Sequence, residues 1–188
     1  MPEAYERVED LIRENRSAIL KKWFGLVIDS YPKDTARFLK KEKDSFANPV
    51  GSTIEHELGS LLDQLLQEPD REKASRFLDR IIRIRAIQDF TPSDAVAFVF
   101  QLKDVIREAL KPAPGQEPSH EAWRGMDRRI DRLGFLAFDT YTKCREQIAD
   151  IRVKEIKQQT ERLLRLSGMS DGPAKPDENL QGGVESLT

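Results

Sequence analysis

The sequence predicts an all-α protein: a helical domain that ends in one long helix, followed by a disordered tail. Three observations carry that expectation. Apolar residues recur every three to four positions through most of the chain. No segment alternates apolar and polar residues for long, as a half-buried strand would. Prolines punctuate the periodic stretches, where helices begin or stop.

The first helix is expected over Glu3–Tyr31, stopped by Pro32. Val8, Leu11, Ile12, Ile19, Trp23 and Leu26 form one stripe at about 100° per residue, and Leu20, Phe24, Val27 and Tyr31 form a second, rotated away from it. A helix with two apolar faces is either sandwiched in a core or covered by a partner chain. A short helix is expected over Asp34–Lys43, then a loop through SFANPVGST, with Pro49 and Gly51 as breakers. The next helix spans Thr53–Gln67 and ends before Pro69. Asp70 caps its successor, which runs to Gln88. Thr91, Pro92 and Asp94 then stand where an N-cap, a first-turn proline and a capping acid belong, opening a helix that reaches Leu110. After KPAPGQEPS, Ser119 caps the final helix, which extends to Leu166. Its first part, with Ile130, Leu133, Phe135, Leu136 and Phe138, is apolar enough to pack on the domain. Its later part keeps a thin seam of Ala149, Val153, Ile156, Thr160 and Leu163, spaced as in a coiled coil. Residues 167–188 are rich in glycine, proline and polar side chains, and read as a disordered tail beside a folded domain over 1–166.

Bulk composition narrows the function. The chain has 188 residues, enough for a core without staples. Charged residues make up 34% and the net charge is −2, so nothing draws the chain as a whole to nucleic acid or to anionic lipid. No apolar run approaches the ~20 residues that span a bilayer, and MPEAYERVEDLIRENR lacks the apolar core of a secretory signal. Cys144 is the only cysteine, so no internal disulfide forms and a cytoplasmic location is expected.

No catalytic set emerges. His56-Glu57 opens like a zinc-protease helix, but the fourth residue after His56 is Ser60, and His56 lies opposite the stripe of Ile54, Leu58, Leu61 and Leu65. His120 stands at a helix start. Two histidines and one cysteine do not make a closed zinc site, and neither histidine is placed to ligate haem, so no cofactor is expected. Carboxylates line every helix and are read as solvated faces. Cys144 is a small apolar filler, or a redox sensor if Lys143 or Arg145 favours its thiolate. Arg85 is the candidate ligand-binding residue. It continues the inward stripe of Ala74, Leu78 and Ile81, whereas Arg76, Arg80 and Arg83 point to water. A guanidinium carried inward must be paired, either as a clamp on Asp89 or Asp94 or by an anionic ligand. Phe100 points away from the buried face of Phe98, Val99, Leu102, Val105, Ile106 and Ala109, so it fills a second layer or marks a contact surface.

Three blocks resemble a known family. They are AILKKWFGLVIDSY, NPVGSTIEHELGSLLDQLL and RIIRIRAIQDFTPSDAVAFVFQLKDVIREAL, the last pairing RAIQDF with TPSDAVAF. Over residues 10–150 the chain is similar to the N-terminal domain of RsbR-type stressosome regulators. The resemblance implies a globin-like fold that binds no haem, no catalytic residues, and a bacterial sensor domain paired through its end helices. In multidomain relatives the last helix feeds a STAS or histidine-kinase output domain. No output domain follows that helix here, so a signal is expected to leave through another protein or through self-association. The implied function is a dimeric, non-catalytic sensor or regulatory module. The competing reading is a ligand-free scaffold or accessory protein tied to a respiratory, sulfur-metabolising complex. The expected homodimer interface combines Leu20, Phe24, Val27 and Tyr31 with Val153, Ile156 and Leu163.

Overall fold

The computed structural model describes residues 3–42, 44–68, 70–88, 90–110 and 117–167, with side chains from Val8 onward. They form seven helices: α1 (Glu3–Glu14), α2 (Arg16–Asp29), α3 (Lys33–Lys41), α4 (Pro49–Leu65), α5 (Arg71–Ile87), α6 (Pro92–Ala109) and α7 (His120–Leu166). No strand occurs among the described residues, and the fold is all-α and globin-like. Residues group into two compact units, Met1–Ile148 and Ala149–Thr188. The expected tail, Ser167 apart, lies outside the described residues.

Four of the boundaries follow from capping chemistry. Asp70 accepts from the Lys73 amide at 3.0 Å, Thr91 from the Asp94 amide at 3.2 Å, and Ser119 from the Ala122 amide at 3.2 Å. The fourth was misread as loop. Asn48 caps α4 by accepting from the Gly51 amide at 2.9 Å, with Pro49 in the first turn. The Asn48 amide also donates to the Leu39 and Glu42 carbonyls, both at 3.0 Å, fastening the end of α3 to the start of α4. A Cβ at position 51 would collide with the Asn48 side chain, so Gly51 permits a cap rather than breaking a helix.

The single first helix is in fact two. At Asn15 the side-chain amide donates to the Leu11 carbonyl at 2.9 Å, the same oxygen that accepts from the Asn15 backbone. Such competition for a backbone acceptor interrupts a helix. Beyond it, Ile19, Trp23, Val27 and Tyr31 make a row stepping by four, and all four are buried. Leu26, assigned to the core from its spacing, is 38% exposed instead. The row is buried because α2 is sandwiched, packing on α3, α4 and α6. Trp23 stacks on Phe98, ring centroids 6.2 Å apart, and donates its indole N–H to the Phe98 carbonyl at 2.8 Å. Arg16 grips Asp63 with two bonds of 2.7 and 2.8 Å, holding α2 to α4.

The inward row of α7 differs from the expected one. Ala122, Met126, Ile130, Gly134, Ala137, Tyr141 and Cys144 are buried, whereas Phe135 is 67% and Phe138 52% exposed. A small residue is required at position 134 because the Phe100 ring of α6 lies on Gly134, where a Cβ would overlap it. Phe100 is thus second-layer packing with a partly exposed edge. Lys103–Asp131 (2.6 Å) and Arg107–Asp127 (2.6 Å) flank this contact.

This crossing predicts a sign reversal. Gly134→Ala should destabilise the protein by about 1–2 kcal/mol, because crowding outweighs the helix-propensity gain. In a Phe100→Ala background the same change should stabilise by about 0.5–1 kcal/mol. Urea midpoints of the four proteins measure both, and the same sign in both backgrounds would refute the contact.

Candidate functional site

Arg85 is 1% exposed, in the last turn of α5. It donates from one terminal nitrogen, Nη2, to the Ser30 hydroxyl and to the Asp94 carbonyl, each at 2.9 Å. Three rings surround the cation: its central carbon lies 4.2 Å from the Phe90 centroid, 5.5 Å from Tyr31 and 5.6 Å from Phe98. Desolvated cation–π contacts contribute about 2 kcal/mol, and a hydrogen bond to a charged group about 1.5–3 kcal/mol. Nε, Nη1 and the Tyr31 hydroxyl make no hydrogen bond of standard geometry among the described residues, although the guanidinium and the phenol lie close enough to act on one another. Burial pulls the guanidinium below its ordinary pKa, opposed by the nearby Tyr31 and Asp94. Burial likewise pushes the Tyr31 phenol up, opposed by the charge of Arg85.

Among the described residues the guanidinium is held by neutral oxygens and aromatic faces, and the expected clamp on the Asp94 carboxylate does not form. Asp94 serves through its carbonyl, while its carboxylate accepts from the Thr91 hydroxyl at 2.6 Å in the α6 cap. Asp89 lies outside the described residues. Phe90 completes the cage from a loop fixed at two points: its amide bonds the Arg85 carbonyl at 3.3 Å, and its carbonyl accepts from the Tyr141 hydroxyl at 2.6 Å. Its ring meets Tyr31 edge-on at 5.2 Å. Periodicity could not find Phe90 or Ser30, because both lie outside helices.

One buried carboxylate escaped the sequence reading. Glu57 is 1% exposed, with Oε1 bonded to Arg80 at 2.6 Å and Oε2 without a partner among the described residues. Arg80 therefore reaches back to a core-facing acid rather than simply to water. The signal was present in spacing, since Glu57 lies between the inward Ile54 and Leu61. His56 and His120 are both exposed. No cluster of three or more histidine, cysteine, aspartate or glutamate side chains is arranged to hold a metal among the described residues. Cys144 is buried, its sulfur 3.9 Å from an Asp79 oxygen, and burial followed by that carboxylate pushes the thiol up.

The residues expected at a dimer interface divide. Val27 and Tyr31 are enclosed in the chain's own core, while Leu20 and Phe24 pack partly buried at its edge. The enclosure follows from the position of α2, which packs on α3, α4 and α6. On α7, Val153, Ile156 and Leu163 are 50%, 62% and 66% exposed, and every residue from 149 to 167 is exposed. Among the described residues no helix is long and apolar enough to cross a membrane.

Two outcomes follow from this geometry. Arg85→Ala should cost about 3–5 kcal/mol by opening a cavity in the cage, whereas Arg85→Met, which refills it, should cost under about 1.5 kcal/mol. Equal losses in urea unfolding would mean that charge rather than volume holds the site. Cys144 should react with Ellman's reagent at least about tenfold more slowly in the native protein than in denaturant at pH 8. Its folded pKa lies above the ordinary 9.0. The thiol's contribution to stability is therefore whole below that pH and is lost as pH rises through the folded value. Equal thiol rates in the two states would contradict its burial.

Comparison with known proteins places this geometry in a lineage. A protein of Archaeoglobus fulgidus, described only as uncharacterized, is 22% identical over 157 residues, covering 81% of this chain and 91% of its own. No solved structure matches significantly. Residues 17–156 match the model of the RsbT co-antagonist protein rsbRD N-terminal domain, and the stretch runs from α2 through the Arg85 cage into α7. The chain belongs to the RsbT co-antagonist protein rsbRD N-terminal domain family.

Proposed function

We propose that this chain is a non-catalytic, haem-free regulatory module of stressosome-type signalling, acting in the cytoplasm through a ligand or partner protein and through pairing with a second copy. The observation that carries the reading is the far part of α7. Val153, Ile156 and Leu163 stand exposed at alternating steps on a helix whose described residues from 149 on are all exposed. A solvated helix end has no use for such a seam, whereas a paired helix does. Each large side chain hidden by association contributes about 1.5–3 kcal/mol, set against the entropic cost of association. A two-fold arrangement would use the seam reciprocally and could extend to Leu20 and Phe24. Family membership supports the reading, since a co-antagonist works on another protein.

Arg85 is the proposed ligand-responsive residue within this module. Two guanidinium donors and a phenol without hydrogen-bond partners among the described residues favour a guest with acceptor oxygens, which would satisfy buried groups that are otherwise costly. The cage joins the end of α2, the end of α5 and the start of α6, and Phe90 links it to α7 through Tyr141. Occupancy there would bear on the helix that carries the seam. A second reading, a ligand-free scaffold for a respiratory complex, is favoured by apolar side chains exposed outside the seam, Ile87 at 70% among them.

The test is association. The unmodified protein should sediment as a dimer at tens of micromolar, and Ile156→Asp with Leu163→Asp should give a folded monomer with an unchanged helical spectrum. A monomer before mutation would end the pairing proposal. A dimer indifferent to both changes would move its interface off α7.

A further inference from the structure

A groove of ≈ 350 Å³ lies between the end of α4, the first turns of α5 and the middle of α7, away from the Arg85 cage. Its walls are Leu65, Ala74, Leu133 and Leu136, with the largely exposed Phe135 at its edge. Cavities of this size accept small molecules. The polar groups round it are uneven. Three guanidiniums, of Arg71, Arg129 and Arg132, meet two carboxylates, of Asp70 and Asp139, which leaves one positive charge over.

The commitments of these groups single out one of them. Asp70 caps α5 and is held below the usual carboxylate range by the Lys73 amide and ammonium. Arg71 faces Asp139 at 3.6 Å. Arg129 spans to Glu9 at 2.8 Å and to the Leu65 carbonyl at 3.0 Å. Arg132 is exposed, and no hydrogen bond or ion pair engages it among the described residues. It stands on α7 one turn before Leu136, so its planar fork and the apolar wall lie on the same face.

We infer that this groove binds an amphipathic monoanion, a medium-length aliphatic chain ending in one carboxylate. The chain lies on Leu133, Leu136 and Phe135, and the carboxylate pairs with Arg132. One excess positive charge matches a carboxylate rather than a doubly charged phosphate, and a guanidinium takes a carboxylate through two parallel bonds. An aliphatic tail gains from leaving water along the apolar wall. This site is separate from the Arg85 cage and from the α7 seam, so its failure leaves those readings standing.

Calorimetric titration of the full chain tests the inference, with octanoate, 1-octanol and acetate as probes. Octanoate should bind at a single saturable site, with octanol and acetate each at least about tenfold weaker. Arg132→Gln, a surface change, should weaken octanoate about tenfold and leave octanol as it was. Phe135→Ser should weaken octanoate and octanol together. No saturable octanoate binding at millimolar concentration, octanol binding as tightly as octanoate, or an Arg132→Gln protein with undiminished octanoate affinity would each overturn the proposal.

Discussion

A cation held in the core among neutral oxygens and ring faces constrains everything around it. Arg85 is buried, and among the described residues its hydrogen bonds go to the Ser30 hydroxyl and the Asp94 carbonyl. The remaining stabilisation comes from ring faces, which act only over a few ångströms and only when the rings are held in place. Tyr31 and Phe98 are fixed because α2 and α6 pack on one another, and Phe90 is fixed because Tyr141 holds its carbonyl. The end of α2 and the turn into α6 therefore meet at one side chain, and the middle of α7 holds that turn through Tyr141. Hydrophobic packing alone would tolerate small shifts among these elements. A buried charge does not, since each loosened ring exposes it to an environment that cannot solvate it.

The same economy of space explains the rest of the domain. Small residues make room for neighbouring side chains at the tight points: Gly134 receives the Phe100 ring, and Gly51 receives the Asn48 cap. The consequence for α7 is that its large side chains are displaced outward. Phe135 and Phe138 stand at the surface because the inward row is already filled by Gly134, Ala137 and Tyr141. Surfaces of this domain are thus by-products of its packing, and the groove beside Leu133 and Leu136 is one of them.

These features describe a module in which a local event has routes outward. The cage joins the ends of α2 and α5 to the start of α6, with α7 reached through Tyr141, and the described residues of α7 from 149 on are exposed. A change at Arg85 or in the groove would act on α7 directly, because Tyr141 and Leu136 belong to it. Membership of a family described by its action on another protein fits a helix used as the point of output.

Local chemistry decided much of this protein in advance. Helical periodicity set the fold class, and Asp70, Thr91 and Ser119 set three helix starts because a cap depends only on neighbours three residues away. The inward position of Arg85 was legible for the same reason, since it continues the spacing of Leu78 and Ile81. The break at Asn15 was not legible, because an asparagine side chain that takes a backbone acceptor looks the same in sequence as one that faces water. Nor was the start of α4, where Asn48 and Pro49 read equally well as a turn or as a cap. The composition of the cage was decided only by tertiary structure: Ser30 ends one helix, and Phe90 and the Asp94 carbonyl come from a turn some sixty residues further on. So was the fate of the second stripe on α2. Whether Val27 and Tyr31 face a partner or a core depends on where α6 lies, and no spacing within α2 carries that information.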